Sequence, residues 1–359
     1  MPFKNRCKQI QVEITKKNLN GLLVTDEKNR YYLSGFTGSA GYLLITEGDA
    51  YLLTDFRYIK QAQKEATCCR VMQHANKWTT TLLELTKLHN IRVLGFEQDQ
   101  LSYTQFELLK KEMYGVELAG TKDVTESLRE CKDEVEVKFI KKAATIADQA
   151  FQRILTFLKP GIREIELAAE LEYQMRLLGG NGFAFETIIA SGFRSALPHG
   201  VASEKKLEPG DLVVIDFGAI YQGYRSDMTR TIKLGKATAR EKEIYQLVLE
   251  AQLASLEHIK AGETCDDIDK LARDIIRKKG YGEYFGHSLG HGVGLDIHEN
   301  PRLAEGNPLP LKAGMVVTVE PGIYLEGWGG VRIEDMVLVT EKGYQNFTKT
   351  SKELLEINL

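Results

Sequence analysis

The C-terminal half of the chain carries five side chains that can bind divalent metal ions, each in a distinctive context. In sequence order they are Asp216, Asp227, His291, Glu320 and Glu334. Carboxylate oxygens and an imidazole nitrogen suit divalent transition metals, and the set contains no thiolate. Two ions can share such a set if carboxylates bridge them, and a two-metal site can activate water for attack on an amide.

Two of these carboxylates come at the borders of predicted strands. Asp216 closes the apolar run 212–215, where an unpaired carboxylate would be costly to bury, and Asp227 follows eleven residues later. Taken alone, each aspartate is more typical of an ordinary turn or capping residue than of a metal ligand. A short connection between the two strands would bring both aspartates to adjacent positions, and this favours a shared site.

Three of the seven histidines, His287, His291 and His298, fall within one glycine-rich segment. Glycine allows the backbone to approach a ligand closely, so the segment favours a binding site. Three ordinary hydrogen-bonded histidines would produce the same pattern. The spacing differs from the His-Glu-x-x-His motif, and this excludes a zincin helix.

Glu320 and Glu334 each follow an alternating apolar run in the predicted strands 315–320 and 331–339. If these strands pair, both carboxylates can face one side, where they would repel each other unless a cation lay between them. Arg332 is expected on the same strand face as Glu334, where it could hold a carboxylate of the site in place. A solvated surface arginine is the alternative.

The elements that must position these residues differ between the two ends of the chain. In the first third, strands are predicted at 21–25, 41–45, 50–54 and 91–96, and helices at 55–66 and 103–112. This alternation predicts a small α/β domain with a mixed or parallel sheet.

A charged stretch at 121–135 follows, and we place the domain limits at 1–124 and 125–359. Amphipathic patterns predict helices at 134–158, 165–178, 239–259 and 266–279. Strands are predicted at 211–217 and 229–234, around a turn at 222–223, and again at 315–320 and 331–339. The second domain is therefore predicted to be α+β, with its candidate ligands at strand ends and in loops.

Composition excludes several classes of protein. The chain has 359 residues, enough for two domains, with 43% hydrophobic and 27% charged residues. A net charge of −3 without a long basic run argues against nucleic acid or an anionic membrane as a partner. The five cysteines match neither a disulfide framework nor a zinc knuckle, and the N-terminus lacks an apolar signal core, so we expect a cytoplasmic protein.

The ordered ligand set resembles that of the pita-bread metallopeptidases, which include proline dipeptidase (prolidase), aminopeptidase P and methionine aminopeptidase. All five ligand contexts agree in type and order, and the likeness covers nearly the whole chain. Residues 30–36 and 54–58 resemble the creatinase-type N-terminal domain, which methionine aminopeptidases usually lack. The resemblance implies an α/β creatinase-like N-terminal domain and an α+β pita-bread catalytic domain.

The resemblance also implies how the ligands are shared between two metal ions. Asp216 and Asp227 would bind the first ion. The second ion would be bound by Asp227, His291, Glu320 and Glu334, with Asp227 and Glu334 bridging both. Mn(II) or Co(II) suits such a set of oxygen and imidazole donors.

Three residues are expected to act in catalysis. Glu320 would take the proton from water and return it, because it is a terminal ligand. His298 matches a second histidine of the proline-specific branch and would stabilise the oxyanion. His287 would serve as a proton relay or support the ligands.

Three further residues are expected on the substrate side of the site. His199, in the segment 195–200, resembles the substrate-binding histidine of the proline-specific branch. Arg302 resembles the arginine that receives the free carboxylate of a dipeptide in compact prolidases, although a solvated loop arginine is the alternative. Arg332 is grouped with them because it would hold a site carboxylate in place.

We therefore predict a cytoplasmic homodimeric metallopeptidase that hydrolyses the Xaa-Pro imide bond of dipeptides or short peptides by metal-bound hydroxide. Aminopeptidase P, which releases the first residue of longer Xaa-Pro peptides, is the nearest alternative. It stays open because the N-terminal domain and the interval between Glu320 and Glu334 are short compared with those of many bacterial prolidases and aminopeptidases P. In those enzymes, insertions there help to select dipeptides or longer peptides. A non-catalytic pita-bread module that binds peptides is the alternative from a different class, and the retention of all five ligands argues against it.

Overall fold

The computed structural model describes residues 2–74 and 77–358. The chain forms two units, of which the first ends at Arg129 and the second begins at Glu130. Each unit has its own hydrophobic core. Within the described residues, no helix has the length and apolar character that crossing a membrane requires.

The first unit is built on one mixed sheet. Its strands are β1 (Gly21–Val24), β2 (Tyr42–Thr46), β3 (Ala50–Thr54), β4 (Arg70–Gln73), β5 (Val93–Glu97) and β6 (Glu117–Thr121). They lie in the order β4-β3-β2-β1-β5-β6. Strand β1 runs antiparallel to β2 and parallel to β5, so the predicted α/β class with a mixed sheet is confirmed.

The helices of this unit are α1 (Pro2–Lys16), α2 (Glu27–Ser34), α3 (Ile59–Glu65), α4 (Trp78–Leu88), α5 (Tyr103–Glu112) and α6 (Val124–Arg129). Ser102 begins α5 through a reciprocal pair of hydrogen bonds with Gln105. The helix predicted at 55–66 begins only at Ile59. The carboxylate of Asp55 instead binds the backbone and guanidinium of Arg57, which holds the preceding residues in a turn.

The second unit combines two pairs of helices with strands that pair mostly antiparallel. The helices are α7 (Glu134–Ile154), α8 (Glu164–Leu177), α9 (Ala239–His258) and α10 (Cys265–Lys278). Asp133 and Thr238 begin α7 and α9 with capping boxes. This mixture of helices and antiparallel strands confirms the predicted α+β class.

Its strands form four sheets. The first two sheets contain β7 (Gly182–Phe183), β8 (Ile188–Ser191), β9 (Leu212–Phe217), β10 (Ala219–Tyr221), β11 (Tyr224–Arg225), β12 (Met228–Leu234) and β20 (Leu355–Ile357), in the orders β11-β10-β7 and β20-β12-β9-β8. The other two contain β13 (Gly290–Gly292), β14 (Glu299–Leu303), β15 (Val316–Val319), β16 (Gly322–Leu325), β17 (Gly329–Arg332), β18 (Asp335–Thr340) and β19 (Gly343–Asn346), in the orders β14-β13-β15-β18-β19 and β16-β17.

Each helix pair contributes to a core with its own sheet. Helices α7 and α8 share a core with β8, β9 and β12. Helices α9 and α10 share a second core with strands β15 to β18. The candidate ligands lie on the strands of these two helix-and-sheet layers or directly next to them.

The prediction of one continuous strand at 331–339 is wrong, because the segment forms two strands. Strand β17 ends at Arg332 and pairs with β16, whereas β18 begins at Asp335 and pairs with β15. Glu334 therefore lies in the break between two sheets. The prediction that Arg332 and Glu334 share one strand face is wrong for the same reason.

Candidate metal centre

The strands β9 and β12 bring the two aspartates to one face. They pair antiparallel, and Asp216 lies directly opposite Thr229. Directly opposite residues of an antiparallel pair point to the same face, and residues two apart on a strand do so as well. Asp227 precedes Thr229 by two positions, so it faces the same side as Asp216.

The other three candidate ligands come from the neighbouring sheet. His291 lies on β13, which pairs with β15. Strand β15 pairs with β18 so that Val319 lies opposite Asp335. Glu320 and Glu334 stand one step beyond that pair and therefore meet where the two strands leave the sheet.

The structure brings these side chains together at short range. The Nε2 atom of His291 lies 3.3 Å from Glu320 Oε1 and 3.6 Å from Asp227 Oδ2. Ligand atoms of Asp227, His291 and Glu334 all lie within 4.8 Å of one another. Asp216 acts electrostatically on Asp227 and Glu334, in keeping with its place on the same face.

Two glycines beside His291 are needed for this close approach of strands. A Cβ atom on Gly290 would lie 2.0 Å from the carbonyl oxygen of Thr318, and one on Gly292 would lie 2.3 Å from that of Asn300. Both distances are far below contact distance, so larger residues would push the neighbouring backbone away. The glycine-rich context of His291 therefore has a structural cause.

The donor set fits a divalent cation. Asp216 Oδ1 and Glu334 Oε1 are buried and have no hydrogen-bond partner, although buried polar atoms usually have one. The Nδ1 atom of His291 lies 3.1 Å from the carbonyl oxygen of Gly292, which can only accept. Nδ1 therefore carries the proton, and Nε2 is left to bind a metal ion, as in many metal sites.

The pKa values of two buried carboxylates also indicate a site for a cation. Burial raises the pKa of Asp227 well above its ordinary value, and the negative charges of Glu334, Asp216 and Glu320 raise it further. Burial likewise raises the pKa of Glu334, with further contributions from Glu320 and Asp216. A bound divalent ion would stabilise the ionised forms instead.

Without a metal ion, Glu320 and His291 stabilise each other's charged forms. Burial acts to raise the pKa of Glu320, but the hydrogen bond and positive charge of His291 outweigh it and bring the pKa to about 2. Burial acts to lower the pKa of His291, and its interaction with Glu320 outweighs that effect and raises it. Glu320 is thus ionised at neutral pH.

A chain of hydrogen bonds supports Asp216. Arg332 donates from Nη2 to Asp216 Oδ2 at 2.5 Å and from Nη1 to the hydroxyl of Tyr324 at 2.9 Å. The Nδ1 atom of His287 donates to the carbonyl oxygen of Ser288, so its Nε2 accepts from Tyr324, at 2.9 Å. Arg332 is buried, which contradicts the alternative of a solvated surface arginine.

Three supporting residues were missed by sequence reasoning. The Oγ1 atom of Thr229 donates to Glu334 Oε2 at 2.7 Å, and that of Thr318 donates to Glu320 Oε1 at 3.1 Å. Tyr324 links His287 to Arg332. The threonines sit at alternate strand positions facing the ligands, and this spacing is the signal that could have identified them.

The remaining predicted residues surround the exposed side of the centre. The ring of His298 lies 4.4 Å from that of His291, between centroids, at an angle of 76°. Arg302 lies directly opposite His291 on β14 and is exposed. His199 is exposed and follows Pro198, whose carbonyl oxygen accepts from Arg332 at 3.2 Å. The pKa of His298 is lowered, mainly by partial burial and next by the positive charge of His291. The charges of His199 and Arg302 act in the same direction.

Removing the hydroxyl of Tyr324 tests the supporting chain. Tyr324→Phe would remove one of the hydrogen bonds of Arg332 and leave Nε2 of His287 without its partner, at a cost of about 1–3 kcal/mol. We expect kcat of a hydrolytic reaction to fall about tenfold, because Arg332 is then held less firmly against Asp216. Tyr344→Phe, on the exposed strand β19, is the control. Equal kcat values for the two variants would contradict the role.

Comparison with known families identifies the fold and the family. Residues 138–341 match the model of metallopeptidase family M24, and residues 6–131 match that of the creatinase/prolidase N-terminal domain. The chain belongs to metallopeptidase family M24. It thus combines a creatinase-like N-terminal domain with a pita-bread catalytic domain, as predicted, and it is a hydrolase that depends on divalent metal ions.

Several relatives are similar over almost their full length. An Xaa-Pro dipeptidase from Pyrococcus horikoshii is 44% identical, with 98% of this chain and 99% of the relative covered. The structure of an Xaa-Pro dipeptidase from Bacillus anthracis superposes with a TM-score of 0.97 at 48% identity, covering 99% and 100% of the two chains. The structure of an X-Pro aminopeptidase from Thermotoga maritima has a TM-score of 0.91 at 40% identity, covering 95% and 98%.

Proposed function

We propose that this protein hydrolyses the imide bond between a first residue and proline, with dipeptides as its preferred substrates. The position of Arg302 carries the proposal, because it lies directly across from the candidate ligand His291 on the adjacent strand. A guanidinium there can bind the free carboxylate of a dipeptide through two charge-assisted hydrogen bonds. The similarity to relatives named Xaa-Pro dipeptidase supports it.

The residues have distinct tasks in this proposal. When bound, the divalent ions polarise the scissile carbonyl and activate water. Glu320 takes the proton of that water and passes it to the leaving proline nitrogen, and the hydroxyl of Thr318 holds its Oε1 atom in place. His298 donates a hydrogen bond to the developing oxyanion. His287 supports Arg332 through Tyr324 or relays protons.

The substrate is held at both ends. The ammonium of the first residue lies near Asp227, where the surrounding carboxylates favour a positive charge. His199 and Arg302 hold the proline end. Arg332 acts on the same side by fixing Asp216 and by binding the carbonyl oxygen of Pro198, next to His199.

We further propose that the centre takes two ions, which Asp227 and Glu334 would both hold. Asp216 would complete the ligands of the first ion, and His291 and Glu320 would complete those of the second. Two buried carboxylate oxygens without a hydrogen-bond partner, Asp216 Oδ1 on β9 and Glu334 Oε1 between β17 and β18, support more than one binding position. Oxygen and imidazole donors favour Mn(II) or Co(II).

Aminopeptidase P activity is the second candidate. The likeness to a structure named X-Pro aminopeptidase, at 40% identity, favours it. Hydrolysis of Ala-Pro and Ala-Pro-Ala, each with Mn(II) supplied, separates the two. A higher kcat/KM for Ala-Pro supports the dipeptidase, and a higher value for Ala-Pro-Ala supports the aminopeptidase. Hydrolysis of neither would favour a module that only binds peptides.

Arg302→Ala tests the basis of dipeptide preference. A dipeptide presents a carboxylate directly after the scissile bond, whereas a tripeptide presents a neutral amide there. Loss of hydrogen bonds to a charged group costs about 1.5–3 kcal/mol, so KM for Ala-Pro should rise at least about tenfold. KM for Ala-Pro-Ala should change little. The measurement is steady-state kinetics on both peptides.

Arg277→Ala is a matched control for that experiment. Arg277 is also exposed, and it pairs with Asp274 on the surface of α10. It should leave both KM values unchanged. Equal effects of Arg302→Ala on the two peptides, or no effect on either, would contradict binding of the carboxylate.

Three broader predictions accompany this function. All five cysteines are free, which supports a cytoplasmic location for the protein. Light scattering after gel filtration would test the expected homodimer, and limited proteolysis would test the domain limits 1–124 and 125–359.

A further inference from the structure

The N-terminal unit contains a cluster of three cysteines that the hydrolytic site does not use. Cys7 lies on the buried face of α1, and Cys68 and Cys69 lie in the turn between α3 and β4. Their sulfur atoms all lie within 4.8 Å of one another, and those of Cys68 and Cys69 are 3.6 Å apart. All three thiols are free. Residues 61 positions apart in the sequence thus meet at one point.

The spacing of the sulfurs matches the size of a metal–thiolate site. Sulfur atoms that each lie about 2.3 Å from a common tetrahedral ion are about 3.8 Å apart. The carbonyl oxygen of Leu33, near the end of α2, lies 3.2 Å from the sulfur of Cys7 and 3.6 Å from that of Cys68. This oxygen therefore lies beside the cluster and offers a fourth ligand atom for a metal ion.

The cluster also has an entry path for a metal ion. Cys68 and Cys69 are only partly buried, so an ion can reach them from solvent. Thiolates are the form that binds metals.

We propose that Cys7, Cys68 and Cys69 form a binding site for a thiophilic d¹⁰ metal ion such as Cu(I), Zn(II) or Cd(II). Soft thiolate donors select such ions, and binding releases the thiol protons. A disulfide would use two of the sulfurs and leave the third unpaired, whereas one ion uses all three. The bound ion would link α1 to the turn after α3.

Cd(II) is the probe for this site, and thiolate-to-metal charge-transfer absorption in the ultraviolet is the readout. The full-length protein is reduced with a phosphine, freed of metal by a chelator and then saturated with Mn(II) before Cd(II) is titrated. The candidate catalytic ligands include no thiolate, so Cd(II) bound there gives no such absorption. We expect the absorption to saturate at one equivalent of Cd(II) per chain.

Serine variants assign the absorption to the cluster. Cys7→Ser, Cys68→Ser and Cys69→Ser should each reduce it and weaken Cd(II) binding by at least about tenfold, since even changes around a metal ligand cost that much. Cys131→Ser, at an exposed cysteine of the second unit, is the matched control and should behave like the unaltered protein.

Because Cys68 and Cys69 are only partly buried, their variants keep the test decisive even if the Cys7 variant does not fold. Cys7 is buried, so circular dichroism must show that its variant is folded, and if it is not, Cys68→Ser and Cys69→Ser decide. Absence of the absorption in the unaltered protein would overturn the proposal. Its persistence in both of those variants, its loss in Cys131→Ser, or disulfide formation without uptake of Cd(II) would do so as well. None of these outcomes bears on Xaa-Pro hydrolysis.

Discussion

Replacing Asp227 with Asn is expected to abolish turnover and metal binding together. Asp227 is buried, and its Oδ2 atom lies 3.6 Å from His291 Nε2, within the group formed with Glu334. Asn keeps the size of the side chain but removes the negative charge that would hold two cations. Metal ions contribute several kcal/mol to stabilisation of the transition state, so kcat/KM should fall by about 10³-fold or more.

The fold itself should tolerate this substitution. Burial and the neighbouring carboxylates raise the pKa of Asp227, so the metal-free protein already favours the neutral side chain that Asn imitates. The melting temperature of metal-free Asp227→Asn should therefore equal or exceed that of the unaltered metal-free protein. Asp274→Asn, at an exposed ion pair on α10, is the control for charge. Near-normal activity with two bound ions, counted by mass spectrometry, would contradict a bridging role.

Candidate ligands can be picked out of the sequence where a carboxylate breaks a local pattern. Asp216 ends a buried strand of aliphatic residues, and Glu320 follows another. Burial of such carboxylates requires a partner, so the sequence carries a signal that a turn on the surface would not. The alternation of β9 and β12 also predicts that Asp227 shares the face of Asp216, and the register of these strands agrees.

The supporting residues were harder to predict because they obey the local pattern. Thr229 and Tyr324 are ordinary strand residues, and only the crossing of two sheets brings them to Glu334 and Arg332. The break after Arg332 was missed because both flanking strands are apolar and only two residues separate them. Cys7 and Cys69 meet through tertiary packing of α1, which no spacing in the sequence encodes.

His298→Ala is expected to lower kcat for Ala-Pro by about 10²–10³-fold, the range for loss of one oxyanion donor. His298 is exposed toward solvent, and its ring packs edge-on against that of His291. Although the side chain is open to solvent on one side, partial desolvation of its ring and then the charge of His291 lower its pKa, so it is neutral at pH 7 and keeps one N–H to donate. KM should change much less than kcat, because the oxyanion exists only in the transition state.

Metal content distinguishes this role from that of a ligand. If His298 donates to the oxyanion, His298→Ala should bind as many ions as the unaltered protein, whereas loss of an ion would make it a ligand. His258→Ala, at an exposed histidine of α9, is the matched control and should leave kcat unchanged. His298→Gln retains an N–H donor, so it should recover part of the lost kcat. Gln and Ala variants with equal kcat would show that the donor itself is not what His298 contributes.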